Sequence, residues 1–269
     1  MPFTLSHPAA VLPLRRYGVF SALIFGSMAP DFLYFVPGHT FAYYGHTRRG
    51  LFFFCLPAGW VALWLFHVIL KRPLAELFPE SIAAKLRTAV RPFGFGVWPL
   101  GPERVMLISG SILAGALSHI VWDAATHANG IIAQEIPFLM VPVINIADWT
   151  ILRVQLVQEL STVLGVAALA WAFRSWLQHA PTAEEHSELS LSPAAKLWIP
   201  ALMLTLALAY SVPLGLVPLH YRLRSFLNWE YFLRITVIIG MRTYFILLLV
   251  FCGVWHLLAA RRAPVQPPG

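Results

Sequence analysis

The chain has 269 residues, 58% of them hydrophobic and 12% charged, with a mean hydropathy of +0.70. A soluble domain carries roughly twice that charged fraction, so a water-soluble globule is excluded and an integral membrane protein is indicated. The net charge of +7 does not mark a nucleic-acid binder, because the Lys and Arg residues fall between apolar runs and form no basic stripe interleaved with aromatics.

From the N-terminus, residues 1–37 hold two short apolar pieces, "HPAAVLPL" and "VFSALIFGSMAPDFLYFVPG", joined by "RRYG". Pro30 and Asp31 interrupt the second piece. Its helical part, residues 18–29, would reach only about 18 Å, too short to cross a hydrocarbon core of about 30 Å. A helical hairpin is expected, entering the membrane partway with Arg15 and Arg16 at its turn, which brings His7 and Asp31 to one side. The alternative is an ordinary first span starting near Tyr17, which would separate them. The N-terminus lacks the basic start and small-residue cleavage site of a secretory signal, so the first span is expected to direct insertion.

Three uncharged runs are long enough to cross: 51–70, 105–122 and 197–219. Two more, 154–173 and 235–260, carry one charge each, Glu159 and Arg242. The fold class is therefore all-α, a multi-pass transmembrane bundle of about five spans plus the N-terminal hairpin. Between spans, "LAELFPESIAAKLRTAV" has helical spacing and is expected to lie along the interface. Residues 131–153 are apolar but broken by Glu135, Pro137, Pro142 and Asp148, and are expected to be re-entrant or surface-lying. The organisation expected is a membrane domain over 1–175, an acidic linker over 176–196, a transmembrane hairpin over 197–260 and a disordered tail over 261–269. Loops 71–104 and 174–196 and the tail carry more Lys and Arg than the other set of loops. That places them in the cytoplasm and the polar residues near 123 on the extracytoplasmic side. Cys55 and Cys252 lie inside spans and read as small apolar residues, with no disulfide framework or CxxC site.

The run 105–122 ends in "SHIVWDAATH", which spaces His119, Asp123 and His127 four residues apart. Residues four apart on a helix share a face, about 6 Å apart along the axis. His119 and Asp123 can therefore chelate one metal ion. His127 lies about 12 Å beyond His119, too far for the same ion if the helix continues. Either Asp123 bridges two ions or the helix breaks after Thr126. An acidic residue at a membrane edge needs a partner; a polar interface helix without metal is the plain alternative. His67 and His256 read as packed membrane histidines. Gly110, Ala114 and Gly115 are expected to permit close helix packing around the site. Arg242 sits mid-span, where a guanidinium needs a carboxylate or phosphate, with Glu159 the obvious protein partner and a structural ion pair or substrate binding the two roles.

The blocks "MPFTLSHPAAVLPLRR", "GSMAPDFLYF", "CLPAGWVALWLFH", "KRPLAELFP" and "GALSHIVWDAATHANG" resemble the bacterial membrane family known as domain of unknown function 4184, over residues 1–175 at least. The resemblance implies a location and a fold type but no reaction. The order of an early His, an acidic residue after Pro, a His, and HxxxD followed by His is similar to that in the membrane-bound metal-dependent hydrolases. It is also similar to the zinc-dependent phospholipase C and nuclease group. That likeness implies His7, Asp31, His46, His119, Asp123 and His127 as metal ligands, with His39 competing with His46. Where the 4184 family has a Gln-His pair before S-x-x-L-G, this chain reads "QELSTVLG", with Glu159 at the His position, a possible ligand or general base of different charge.

The function expected is metal-dependent hydrolysis of a lipid-like or phosphoester substrate at the membrane edge, with zinc or another divalent ion as cofactor. Asp123 and Glu159 are the catalytic candidates and Arg242 the substrate-binding one. The expected location is the bacterial cytoplasmic (inner) membrane, with membrane lipids as partners and no nucleic acid. A transporter or membrane scaffold holding a polar cluster is the alternative.

Overall fold

A computed structural model of the chain describes residues 4–36, 39–90, 101–146, 149–183, 189–220 and 226–262. The expected tail falls almost wholly outside the described residues, as does the middle of the acidic linker. The chain divides into two compact units, Met1–Leu63 with Val97–Ser175 and Trp64–Gly96 with Trp176–Gly269.

The first unit opens with the hairpin. Its first arm, Thr4–Leu14, is a 3-10 helix rather than an α-helix. Pro8 and Pro13 lie inside it and have no N–H for an α ladder. After the turn at 15–18 comes α1, Phe20–Met28, which tightens into a second 3-10 stretch, Ala29–Phe35, with Pro30 near its start. Nine α residues rise about 14 Å, and the whole arm, Phe20–Phe35, is shorter than the helices of crossing length. Thr4 Oγ1 closes the hairpin by donating to Asp31 Oδ2 at 2.6 Å, which sets the two ends on one side.

A short 3-10 segment, His39–His46, leads into α2, the 29-residue helix Arg48–Glu76. Thr47 caps it, its hydroxyl accepting from Gly50 N at 2.9 Å. Wider π turns occur at Leu51–Cys55 and Phe66–Leu70. The interfacial helix expected after it is α3, Glu80–Ala89. Next comes α4, Pro102–Thr126, with Pro102 in its first turn, where a missing N–H costs nothing.

Residues 131–146 and 149–152 hold no helix of crossing length of their own. They form the four-residue helix α5, Ile131–Gln134, a 3-10 turn at Pro137–Met140, and an antiparallel ribbon of β1, Pro142–Ile146, with β2, Trp149–Leu152. Among the described residues this ribbon is the one departure from an all-helical reading. Then follow α6, Arg153–His179, α7, Pro193–His220, and α8, Phe226–Arg262.

Among the described residues, five helices are long and apolar enough to cross a membrane: Arg48–Glu76, Pro102–Gln134, Arg153–His179, Pro193–Leu216 and Tyr231–Arg262. They match the five runs read from the sequence. Only 11% of the most apolar window of Arg153–His179 is buried inside the protein. Its Leu160, Val163 and Leu164 stand outward, a surface suited to acyl chains rather than water. The chain is a multi-pass membrane protein.

Two glycines draw α1 against α4. A Cβ on Gly26 would collide with the Ile112 carbonyl, and one on Gly115 with Leu23 O and Ser27 N. The backbones therefore touch, as small residues allow in membrane helix pairs. Gly110 has nothing within 4 Å and Ala114 is exposed, so of the three small residues expected at this contact only Gly115 serves it. In the second unit α7 packs along α8, and Leu70, Met203, Leu248 and Cys252 form a core cluster.

Candidate metal centre

The hairpin, the 3-10 segment before α2 and the last turns of α4 bring together most of the residues singled out by sequence. His7 and His119 are fully buried, and Asp31 is 3% exposed. His46 Nε2 lies 3.2 Å from His119 Nε2. Asp31 Oδ1 is 3.5 Å from the first of these nitrogens and 3.6 Å from the second. Asp123 Oδ2 is 3.4 and 3.3 Å from the same pair.

Local packing explains these positions. A Cβ on Gly45 would strike the Pro30 carbonyl, so the segments touch there and the next residues, His46 and Asp31, meet. The touching backbones of α1 and α4 place Ser27 O 2.8 Å from His119 Nδ1. A carbonyl can only accept, so Nδ1 carries the proton and Nε2 presents a lone pair to the cluster. His7 is fixed the same way: Nδ1 donates to Thr4 O at 3.3 Å, and Nε2 faces Asp123 Oδ1 at 3.1 Å. Thr4 therefore holds both Asp31 and His7. The His7 ring stacks on His119 with centroids 3.8 Å apart, and Tyr43 stacks on His46. His46 Nδ1 is buried with no hydrogen-bond partner among the described residues.

Two carboxylates and the Nε2 atoms of His46 and His119 converge on one another, an acceptor-rich group whose negative charge a bound cation would offset. Two ligands of a tetrahedral ion bound at about 2.0–2.1 Å lie roughly 3.3 Å apart, which matches the nitrogen and oxygen separations here. His–carbonyl bonds on the far ring nitrogen are the outer-shell feature that orients metal-ligating histidines. Two sets of three side chains, His7–His119–Asp123 and Asp31–His46–His119, have ligand atoms within 4.8 Å of one another. The donor set fits a divalent ion.

The helix breaks where the spacing argument required a choice. α4 ends at Thr126, and His127 is its C-cap in extended conformation. Both His127 N and Nδ1 donate to Asp123 O, at 3.0 and 3.1 Å, and Nδ1 lies 3.5 Å from Asp123 Oδ1. His127 therefore stays beside Asp123 instead of moving a full helical turn away. The side chain of His39 lies outside what the structure describes.

The remaining candidates sit elsewhere. Glu159 is exposed, less than two turns into α6, whereas its neighbour Gln158 is buried. Arg242 is half-buried in α8 of the second unit. Neither makes an ion pair among the described residues. Sequence reasoning missed Thr4, Ser27 and Tyr43, which orient the ligands; a hydroxyl or a backbone carbonyl in this role has no periodicity to reveal it. It also missed Trp122, whose Nε1 donates to Ser161 Oγ at 3.2 Å and ties α4 to α6 beside His7.

A membrane-spanning bundle with a buried His/Asp cluster is thus the class of protein that fold and site define. The family model described as "Domain of unknown function (DUF4184)" matches residues 1–253, and the chain belongs to that family. The match runs well past the N-terminal blocks and takes in both units. No curated protein and no solved structure matches the chain.

Proposed function

We propose that the protein is a divalent-metal-dependent hydrolase of the bacterial cytoplasmic membrane, acting on a phosphoester or other lipid-derived substrate at the membrane edge. The observation that carries this reading is the convergence of the His46 and His119 Nε2 atoms with Asp31 and Asp123 at 3.2–3.6 Å. His119 there has its far nitrogen committed to a backbone carbonyl. His46, His119, Asp31 and Asp123 would hold the ion, and imidazole with carboxylate donors suits zinc. When bound, such an ion polarises a scissile ester and brings the acidity of water near neutrality.

The chain's own residues supply the rest. Asp123 faces the four-ligand group through Oδ2 and His7 through Oδ1, so His7 Nε2 can take or return a proton across that carboxylate. His127, partly exposed beside the same oxygen, stands nearest to solvent and can relay the proton outward. The surrounding lipid makes a lipid ester the accessible substrate. Glu159 and Arg242 are not needed in this reading. The excess of basic residues in loops 71–104 and 174–196 supports an extracytoplasmic position for the cluster.

Elemental analysis of the detergent-purified protein, with turnover of phospholipid and simple phosphoester substrates before and after chelation, tests it. Bound zinc, turnover lost on chelation and its return on readdition are the expected results. Protein purified from zinc-replete cells without any metal would overturn the metal reading. Retained metal with no turnover on any phospholipid favours the scaffold or transporter instead.

A further inference from the structure

Residues 131–152 join the end of α4, which carries Asp123, to the start of α6. Among the described residues, many of their large apolar side chains stand outward. Ile131 is 75% and Phe138 64% exposed, and Ile132, Ile136, Val141 and Val143 are exposed as well. Ala133 is the one fully buried residue of α5. A loop in water does not present such a surface; something apolar covers it.

Three observations say what. The first is position. Its first residues, 131–134, close one helix of crossing length and its last lead into another, Arg153–His179, so both its ends are held near the membrane boundary. The adjoining outward faces of α4 and α6 carry Leu117, Val121, Leu156, Val157 and Leu160, all exposed. The apolar surface is therefore continuous with the lipid-facing one.

The second is backbone pairing. Gln134 N donates to Gly130 O, Ile136 N to Ala133 O, Leu139 N to Ile136 O and Arg153 N to Val141 O, all at 2.9–3.2 Å. The ribbon pairs β1 with β2, and Pro137 and Pro142 remove two donors outright. A backbone satisfied within itself tolerates low water activity. A two-stranded ribbon still has open edges, which bars it from the hydrocarbon core and fixes it at the boundary.

The third is charge. The Arg153 guanidinium carbon lies 4.2 Å from the centroid of the Phe138 ring. An aromatic ring beneath a guanidinium is the arrangement that keeps the cation at headgroup height while the ring sinks.

We propose that residues 131–146 and 149–152 form a membrane-seated lip lying in the headgroup–acyl boundary beside the His/Asp cluster. Ile131, Ile136 and Phe138 face the acyl chains, and Arg153 contacts the phosphate of an anionic phospholipid. The proposal needs only the membrane reading and holds whether or not the cluster binds metal.

The test uses the full chain with Cys55→Ala and Cys252→Ala. A single Phe138→Cys is labelled with an environment-sensitive fluorophore and reconstituted in phosphatidylcholine–phosphatidylglycerol vesicles, with Ile131→Cys as a second site should the first fail to fold. Nitroxide lipids spin-labelled at a shallow or a deep acyl carbon report depth. Blue-shifted emission, quenched more by the shallow label than by the deep one, is the expected result. Water-like emission quenched by aqueous iodide overturns the lip. Blue-shifted emission untouched by either nitroxide means a protein covers the surface, a second copy or another partner, and overturns it equally. Stronger deep quenching overturns the boundary placement. For Arg153, with the label at Ile131→Cys, quenching by nitroxide phosphatidylglycerol should exceed that by nitroxide phosphatidylcholine roughly two- to fivefold. The difference should vanish in Arg153→Gln, and a preference that persists removes Arg153 as the contact.

Discussion

Each unit buries a carboxylate, and the two solve the problem differently. In the second, Glu76 at the end of α2 is 2% exposed and takes a two-pronged hydrogen bond from Arg87, Nε to Oε1 at 2.9 Å and Nη2 to Oε2 at 3.0 Å. Arg87 also reaches Glu80, and Lys196 caps Glu80 at 3.0 Å. The glutamates hold the Arg87 guanidinium even more firmly protonated than usual. Two acids meet two fixed cations, and the group is electrically complete. In the first unit, Asp31 and Asp123 meet four histidines and the Thr4 hydroxyl. No Lys or Arg pairs with either carboxylate among the described residues. A complete network is a structural clamp, whereas an incomplete one is built to receive a cation.

The contrast predicts opposite responses to losing one charge. Asp123→Asn should empty the centre, taking bound metal from about one ion per chain to near zero and abolishing hydrolysis. His127→Ala should keep the ion, since His127 stands on the other oxygen of Asp123. Mass spectrometry of metal content decides. Two ions in wild type, falling to near zero and to one in these variants, would instead establish Asp123 as a bridge. No metal in wild type would sink the centre altogether. In chelated protein Asp123→Asn should leave the melting temperature unchanged or raise it, because one of two neighbouring like charges is gone.

In the clamp the sign reverses. Arg87→Ala strands a buried carboxylate and should cost about 3–5 kcal/mol. The double change Arg87→Met with Glu76→Gln should recover most of that loss. Thermal unfolding in detergent measures both, and a single variant as stable as wild type would end the description of this network as a clamp.

A smaller effect separates the two glycines of α4. Gly115→Leu pushes into the backbone of α1 and should cost about 1–3 kcal/mol. It should also weaken metal binding about 10–100-fold, because the Ser27 carbonyl no longer orients His119. Gly110→Leu, with open space around it, should change neither. Equal metal affinity in the two variants would show that the backbone contact does not position the ligand.

Much of this was legible in the sequence, for identifiable reasons. The five crossings could be read because lipid demands long apolar runs with internally paired backbones. The hairpin could be read because its apolar stretch is too short to cross and Pro30 interrupts it. His7, Asp31, His46, His119 and Asp123 were named from residue order and resemblance, and all five meet in one place. Helical spacing alone left open whether the helix runs on past Thr126, and it ends there with His127 as its C-cap. The ribbon of 142–146 with 149–152 was not legible: its residues show no regular alternation of polar and apolar side chains to mark a strand pair. The Glu76–Arg87 pair was also missed. Its partners are eleven residues apart in sequence, on either side of the turn between α2 and α3, and nothing in their spacing marks them as neighbours. Attention went instead to Glu159 and Arg242, the charges inside apolar runs.

The smallest expected effect sharpens the same contrast by pH. Hydrogen bonds from Arg87 and Lys196 lower the Glu80 carboxyl from its ordinary 4.5 to about 2. A carboxyl depressed in the folded state binds its proton less readily there than in the unfolded chain, so its stabilisation is full above pH 4.5. It is lost progressively as pH falls towards 2. The side chain is 59% exposed, and solvent screening limits the contribution to less than about 1 kcal/mol. Glu80→Gln should therefore flatten the fall of melting temperature between pH 4.5 and 2 relative to wild type. Every other acid is common to both proteins and cancels in the difference. If the two curves run parallel throughout that range, Glu80 is a bystander and the clamp reduces to Glu76 with Arg87.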